Sequence, residues 1–282
     1  MEPVRVGFGK LGNIATSLIV ELLLDERAER KDIDVRVVSS GAKLGEAEAE
    51  EVARRLMEFS PRLAVVSSPN AALKGPTLLR RMLKEAGIPV IVVSDEPAKR
   101  AIKSMEEEGF GYIIVEADSM IGARREFLDP AEMALYNAYV LTVLACTGAL
   151  NAVFKSIDRV IEQVKQGAEL ELPRLVVDAE RALSEAGFQN PYALAKARAA
   201  YEAARKVAEL TVRGCFIEKD WTKYTVLVAA AHELMRLAAR MAEEAREIEK
   251  YSDSVMRVPH HSKGHMLVKR RLIEKPAKVE GG

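Results

Sequence analysis

The stretch EADSMIGARREFLDP, beginning at Glu116, is the densest concentration of chemistry in the chain. It carries Glu116, Asp118, Glu126 and Asp129 as carboxylates, with Arg124 and Arg125 between them. Carboxylates accept N–H donors, hold protons and stabilise cations, while arginines grip carboxylates and phosphates. Ion pairing at a domain or subunit junction is the structural alternative. So many charges after an apolar strand favour a ligand site. A second signature opens the chain. In VRVGFGKLGNIATS, Gly7, Gly9 and Gly12 spell G-x-G-x-x-G between a β-branched run and a helical pattern. That is the place of a dinucleotide fingerprint. An NAD site also wants an acid at the end of the second strand. Here that strand ends in Ser39-Ser40-Gly41, and Asp32 and Asp34 stand at its beginning. Ser39, Ser40 and Lys43 suit a ribose phosphate, so NADP stays open, as does a plain glycine turn at Gly9.

The other candidates are thinner. His260, His261 and His265 lie in a polar tail with no Cys or carboxylate cluster at ligand spacing, so they read as solvated side chains and no metal site is expected. His232-Glu233 resembles the start of H-E-x-x-H, but position 236 is Arg, which removes the second ligand. A packing histidine or one facing a cleft fits better. Cys215 in RGCFIEKD reads as a half-buried structural thiol. No G-x-S-x-G elbow occurs.

Composition narrows the function classes. Lys+Arg and Asp+Glu both number 42 among 282 residues, so no net charge draws the chain to nucleic acid or to anionic lipid. Cys146 and Cys215, the two cysteines, cannot build a disulfide framework. No apolar run is long enough to span a bilayer, and no secretory leader pattern opens the chain. A cytoplasmic enzyme or binding protein is expected.

Strand and helix patterns alternate through the first half. Strands are expected at Val4 to Val6, Asp34 to Ser39, Leu63 to Val66, Ile88 to Val93 and Tyr112 to Val115. Helices are expected over 13–30, 46–59, 77–86 and 97–108, with Gly87 stopping the third. Five such units predict an α/β fold: a doubly wound, mostly parallel sheet followed by a helical bundle. The expected division is an α/β Rossmann-like domain over 1–128, a helical bundle over 129–250 and a tail segment over 251–282. Asp129-Pro130 starts a long helix to about Gly167, as N-cap and first helical residue. Leu172 to Asp178 is a short extended piece, and helices follow over 190–210 and 221–249. Ligands of open parallel sheets bind beyond the carboxyl ends of the strands. That rule selects 9–17, 39–43, 67–76, 94–97 and 116–129.

These segments resemble one family. LGN followed by TS (Gly12, Asn13, Thr16, Ser17), LLLDERAER (Leu22 to Arg30), SPN and GP (Ser68, Pro69, Asn70, Gly75, Pro76) and GYIIVEADSMIGARREFLDPAEMA (Gly111 to Ala134) carry the likeness. NPYALAKA (Asn190 to Ala197), RGCF (Arg213 to Phe216), AHE (Ala231 to Glu233) and VPH (Val258 to His260) extend it along nearly the whole chain. Together they are similar to the coenzyme F420-dependent methylenetetrahydromethanopterin dehydrogenases of methanogenic archaea. The resemblance implies that the glycine fingerprint is an accident of local substitution and that a deazaflavin binds near it.

It further implies reversible hydride transfer between the one-carbon bridge of methylenetetrahydromethanopterin and coenzyme F420, in one-carbon metabolism of the methanogenesis type. Coenzyme F420 acts as a dissociable co-substrate, with no metal and no bound flavin. Glu116, Asp118 and Glu126 are the candidates for pterin recognition or for placing negative charge near the forming cation. Lys10, Gly12, Asn13, Thr16 and Ser17 would receive the coenzyme's phosphate and acidic tail, and Ser68, Asn70 and Asp95 would flank its ring. Arg125, Tyr192 and His232 are candidates on the pterin side, the last two from the helical half. A homo-oligomer is expected. The loops PNAALKGP and SDEPA depart from the family's usual proline-rich and glycine-containing forms, and the tail carries His261, Lys263 and His265 where a P-H-G-like turn is usual. Two rivals stay in view: an NADP-dependent oxidoreductase using Gly7, Gly9, Gly12 and Lys43, and a non-catalytic paralogue that holds a pterin or deazaflavin.

Overall fold

The computed structural model describes residues 2–24, 26, 29–119, 127 and 129–278. Its first half alternates strand and helix: β1 Val4–Lys10, α1 Ala15–Leu23, β2 Ile33–Ser39, α2 Glu46–Phe59, β3 Leu63–Ser68, α3 Lys74–Glu85, β4 Val90–Asp95, a 3₁₀ turn Glu96–Ala101, α4 Ile102–Glu107 and β5 Gly111–Val115. The second half is mostly helical: α5 Pro130–Thr147, α6 Ala149–Gln166, β6 Arg174–Val177, α7 Ala179–Ala186, α8 Pro191–Val212, a π turn Arg213–Ile217 and α9 Trp221–Tyr251. A small hairpin, β7 Leu267–Val268 with β8 Ala277–Lys278, closes the tail.

The six-stranded sheet runs β2-β1-β3-β4-β5-β6 and every pairing is parallel. Side chains alternate across it as the strand period requires. Val6, Phe8, Val65, Ile91 and Ile113 face one core with α1 and α5 to α9. Ala64, Val66, Val90, Val92 and Ile114 face the other, with α2, α3 and α4. The order reverses at β1, so a topological switch point lies between the carboxyl ends of β1 and β3.

Three expectations from sequence change here. Gly7 and Gly9 are not turn residues; both lie inside β1. A Cβ on Gly9 would stand 2.9 Å from Leu56 Cδ1, and one on Gly7 3.0 Å from Pro61 Cγ. These glycines let α2 and Pro61, just beyond it, sit close against the strand. The single long helix expected from Asp129 is two, broken at Gly148, whose φ of +92° ends α5. The extended piece at 172–178 is a full sheet member: Tyr112 to Val115 pair with Arg174 to Val177. Its β-branched residues needed only a partner strand. Among the described residues, no single helix is long and apolar enough to cross a membrane; α5 with α6 passes such a test only as a pair bent by 72°.

The tail histidines divide. His261 and His265 stack on each other at 4.6 Å. His260 instead has its side chain buried at the amino end of the sheet. Its Nε2 meets Asp158 Oδ2 at 2.6 Å, and its Nδ1 and backbone N–H meet Glu26. Arg30 bridges Asp158 and Asp32, and Lys165 also pairs with Asp32. Lys165 pairs with Glu162 as well, so four carboxylates meet three cations when His260 is protonated and only two when it is not. Hydrogen bonds to Asp158 and Glu26 raise the His260 pKa above 6.5, against the cost of burial and the nearby Arg30. A histidine raised on folding stabilises below its unfolded value, and that stabilisation is lost as pH rises through its folded value. We therefore expect unfolding of the wild type to become easier as pH rises above about 6.5. His260→Gln should weaken that slope, as followed by thermal melts across a pH series.

Candidate functional site at the carboxyl edge of the sheet

Asp118 follows β5 and is fully buried. Its Oδ1 accepts Ala15 N–H at 2.8 Å and its Oδ2 accepts Thr16 N–H at 3.0 Å. Ile14 precedes α1 and has no capping side chain, so a carboxylate that follows β5, three strands further along the edge, does that work. Burial pushes Asp118 up to about 7, against the pull of the Thr16 and Ala15 donors. Asp95, at the end of β4, is raised well above the usual carboxylate range by burial and by the charge of Asp118; the Glu96 N–H, at 2.7 Å, opposes this. Two buried carboxyls therefore share the edge, and each holds a proton more readily than in water.

Glu116 is also buried, but its oxygens are engaged by Lys99 and, at 2.9 Å, by Arg205 of α8. It ties α8 to the sheet rather than standing free for a pterin. The α1 donors proposed for the coenzyme's phosphate are likewise taken: Thr16 N–H serves Asp118, and the Ser17 N–H and Oγ–H both donate to Ile14 O, at 3.2 and 2.7 Å. This also removes the nicotinamide fingerprint, because the helix end that would receive a pyrophosphate already holds a carboxylate.

Lys10 ends β1 and is buried; Gly12, at φ +73°, turns the chain beneath Leu44 and Pro69, where a Cβ would come within 2.8 Å of Leu44 Cδ2. Asn13 is exposed beside it. Ser68 is buried at the end of β3, and half-buried Asn70 follows, its Oδ1 accepting Ala72 N–H at 3.0 Å. The edge thus brings together Lys10, Gly12, Thr16, Ser17, Ser68, Asp95, Glu116 and Asp118. Arg125 and Glu126 lie outside the described residues. Tyr192 is not brought in: it is 79% exposed at the start of α8, thirteen residues or about 20 Å from Arg205. Asn190-Pro191 is the helix start itself, with Asn190 accepting Tyr192 N–H at 2.9 Å.

His232 joins the edge through a residue that sequence reasoning missed. Tyr136 of α5 donates to Ser119 O at 3.1 Å and packs on the His232 ring at 4.6 Å. Burial and the charges of Asp95, Asp118 and Cys215 raise its pKa. Asp129 caps α5 at Glu132 N–H, 2.8 Å, and Glu132 Oε2 lies 3.3 Å from His232 Nδ1. Ser67 Oγ and Ser119 Oγ, buried at strand ends, and His232 Nε2 have no hydrogen-bond partner among the described residues. The i, i+4 spacing of Glu132 and Tyr136 was the available signal. Among the described residues no group of three or more His, Cys, Asp or Glu is set to hold a metal ion.

The loop after β3 lacks two prolines of the family pattern, yet it is clamped. Ser94 Oγ donates to Ser68 O at 2.7 Å and accepts Ala71 N–H at 3.1 Å. Thr77 Oγ1 and buried Arg80 Nη1 both donate to Ala71 O.

Comparison with known proteins decides the family. The profile described as methylene-5,6,7,8-tetrahydromethanopterin dehydrogenase matches residues 4–277. The chain belongs to this family. It is 58% identical over 273 residues to the F420-dependent methylenetetrahydromethanopterin dehydrogenase of Archaeoglobus fulgidus, and 50% identical over 274 residues to the enzyme of that name from Methanocaldococcus jannaschii. Each alignment covers 97% of this chain and 99% of the relative. A solved structure of an F420-dependent methylene-tetrahydromethanopterin dehydrogenase, in complex with methylene-tetrahydromethanopterin and coenzyme F420, superposes with a TM-score of 0.94 at 44% identity, covering 97% of this chain and 99% of that one. Family membership with this fold leaves Ser94 and Arg80 as this chain's way of holding the β3 loop. Ser94→Ala should strand Ser68 O and Ala71 N–H and destabilise by about 1–3 kcal/mol, read by chemical denaturation.

Proposed function

We propose that this chain is an F420-dependent methylenetetrahydromethanopterin dehydrogenase, catalysing reversible hydride transfer between methylenetetrahydromethanopterin and coenzyme F420. The observation that carries this reading is the superposition, over 97% of the chain, on a relative solved with both ligands. The carboxyl edge fits such a pair. Its unpartnered Ser67, Ser119 and His232 atoms are buried polar groups of the kind a ligand rich in amide and hydroxyl groups completes. Coenzyme F420, when bound, supplies the ring that takes the hydride.

The chain's own residues bind and orient. Lys10, Gly12 and Asn13 present a cation and a close-approach turn beside the β3 loop, the proposed coenzyme side. With its α1 amides already occupied, this side relies on Lys10 and loop groups rather than a helix end. Ser68, Asn70 and Asp95 form the wall between the switch point and β5. His232, Tyr136 and the Asp118 region form the pterin side. Arg125 and Glu126 remain proposed pterin contacts on the strength of the sequence motif. The reaction turns a neutral methylene bridge into a cation, so a carboxyl nearby is worth most when it is charged. Burial holds Asp95 and Asp118 towards the protonated form, and a developing cation pulls them back towards carboxylate.

Turnover is measured anaerobically as pterin-dependent bleaching of oxidised coenzyme F420, with NADP as the control acceptor. The expected result is bleaching with F420 alone as acceptor. Absence of bleaching with folded protein would favour the non-catalytic paralogue; NADP reduction would favour the nicotinamide reading. Pterin oxidation should quicken as pH rises through about 7, where Asp118 loses its proton. Asp118→Asn should lose that limb and about tenfold in kcat, close to 1.4 kcal/mol of barrier.

The chain is further proposed to assemble with copies of itself in the cytoplasm. Its two cysteines, Cys146 and Cys215, lie far apart in the sequence and suit a reducing compartment. The turn between α8 and α9 leaves Phe216, Ile217 and Trp221 between 63% and 71% exposed, an apolar surface suited to a second copy. Sedimentation equilibrium should report more than one subunit, and Phe216→Glu should lower that number.

A further inference from the structure

His232 carries a polar atom that its surroundings leave unused. The ring is 6% exposed, edge-on to Phe127 at 4.7 Å and tilted on Tyr136 at 4.6 Å. Nδ1 faces Glu132 Oε2 at 3.3 Å. An ionised carboxylate only accepts, so the imidazole proton belongs on Nδ1, and Nε2 keeps a bare lone pair. Burial lowers the His232 pKa against the pull of Glu132 and Glu233, which keeps the ring neutral at pH 7. Nε2 is buried with no donor among the described residues.

A purely packing role explains this poorly, since a buried acceptor without a donor is unfavourable and an apolar ring would avoid the cost. The neighbouring hydroxyl is not available either, because Tyr136 gives its proton to Ser119 O. The groups facing His232 are Glu132 and Tyr136 from α5 and Glu233 from α9, while Asp95 and Asp118 act on Tyr136 from the strand ends. The charged ones among them are all acids. Glu132 is itself held in place, because its N–H is the one that Asp129 caps.

We propose that Glu132 is a positioning residue: it fixes His232 as the Nδ1–H tautomer so that Nε2 accepts an N–H of the bound pterin. This rests on the reaction assigned above. A pterin's lactam and amino groups are donors of the required kind, and a neutral Nε2 is a matching acceptor. Glu132 then sets pterin affinity through His232 while touching no substrate.

The test uses the full-length protein, with Glu132→Ala, Glu132→Gln and His232→Gln. Glu132→Ala should raise KM for methylenetetrahydromethanopterin about tenfold while leaving KM for coenzyme F420 and Tm near wild type. Glu132→Gln, whose amide oxygen still accepts from Nδ1–H, should recover most of that loss. Nitrogen NMR of histidine-labelled protein, with four histidines to assign, should show His232 protonated at Nδ1 in the wild type and as a tautomer mixture in Glu132→Ala. An unchanged pterin KM in Glu132→Ala, or a proton on Nε2 of the free wild type, overturns the proposal. If the wild type does not turn over the pair at all, the reaction reading fails separately. The tautomer spectra and pterin binding by calorimetry then decide: loss of pterin affinity together with tautomer mixing supports the role of Glu132, and an unaltered tautomer rejects it.

Discussion

Both oxygens of Asp118 are spent on the first amides of α1, although the carboxylate hangs from β5 and β3 and β4 lie between. That single contact closes the carboxyl edge of the sheet. The start of a helix is a partial positive charge with unpaired N–H groups, and parallel sheets of this winding commonly offer it to a phosphate. Here an internal carboxylate takes the place of the ligand. The first βα turn is thereby tied to β5, with Lys10 and Gly12 beside the switch point. A ligand at this edge must then be recognised by side chains and loop backbone, which is where the unpartnered serines and His232 stand.

The same contact explains why the glycine fingerprint misleads. Its spacing and its place between strand and helix are both met. What spacing cannot encode is which partner fills the helix end, or which strand faces the glycines. Gly7 and Gly9 answer to Leu56, Val52 and Pro61, a packing demand from α2, while Gly12 alone adopts a left-handed backbone. Two of the three glycines are therefore there for helix–strand proximity and one for the turn. One substitution in a short motif can complete a pattern whose physics is absent.

Local signals were legible where the cause was local. Short apolar, β-branched runs marked the five leading strands, and Asp129-Pro130 and Asn190-Pro191 marked helix starts whose caps the structure shows. The resemblance carried family and reaction, because long motifs such as IGARREFLDP leave little room for coincidence. Most of the illegible features depended on distant partners. Glu116 is neutralised by Lys99 and Arg205, far away in sequence; His260 is drawn from a polar tail into a buried network with Asp158 and Glu26; and β6 is a strand only because β5 is beside it. The break at Gly148 was hidden by a continuous apolar pattern, in which one glycine can as easily be tolerated as end a helix.

The two ends of the sheet carry charge in different ways. At the amino end, Arg30, Lys165 and His260 pair with Asp32, Asp158, Glu26 and Glu162, and the tail is fastened there. At the carboxyl end Asp95 and Asp118 have no cation paired with them among the described residues and are pushed towards their protonated forms. The β3 loop belongs to that second end but is stabilised in another way. Arg80, buried without a bridging carboxylate among the described residues, lies 5.6 Å from the Phe110 ring and gives its proton to Ala71 O. The Phe110 face and the single carbonyl acceptor stand in for a counter-ion, while Arg80 Nε is left without a partner among the described residues. That arrangement stiffens the loop without prolines and adds no further acid to an edge that already strains to hold two. A carboxylate placed there to pair Arg80 would add another buried negative charge to be desolvated.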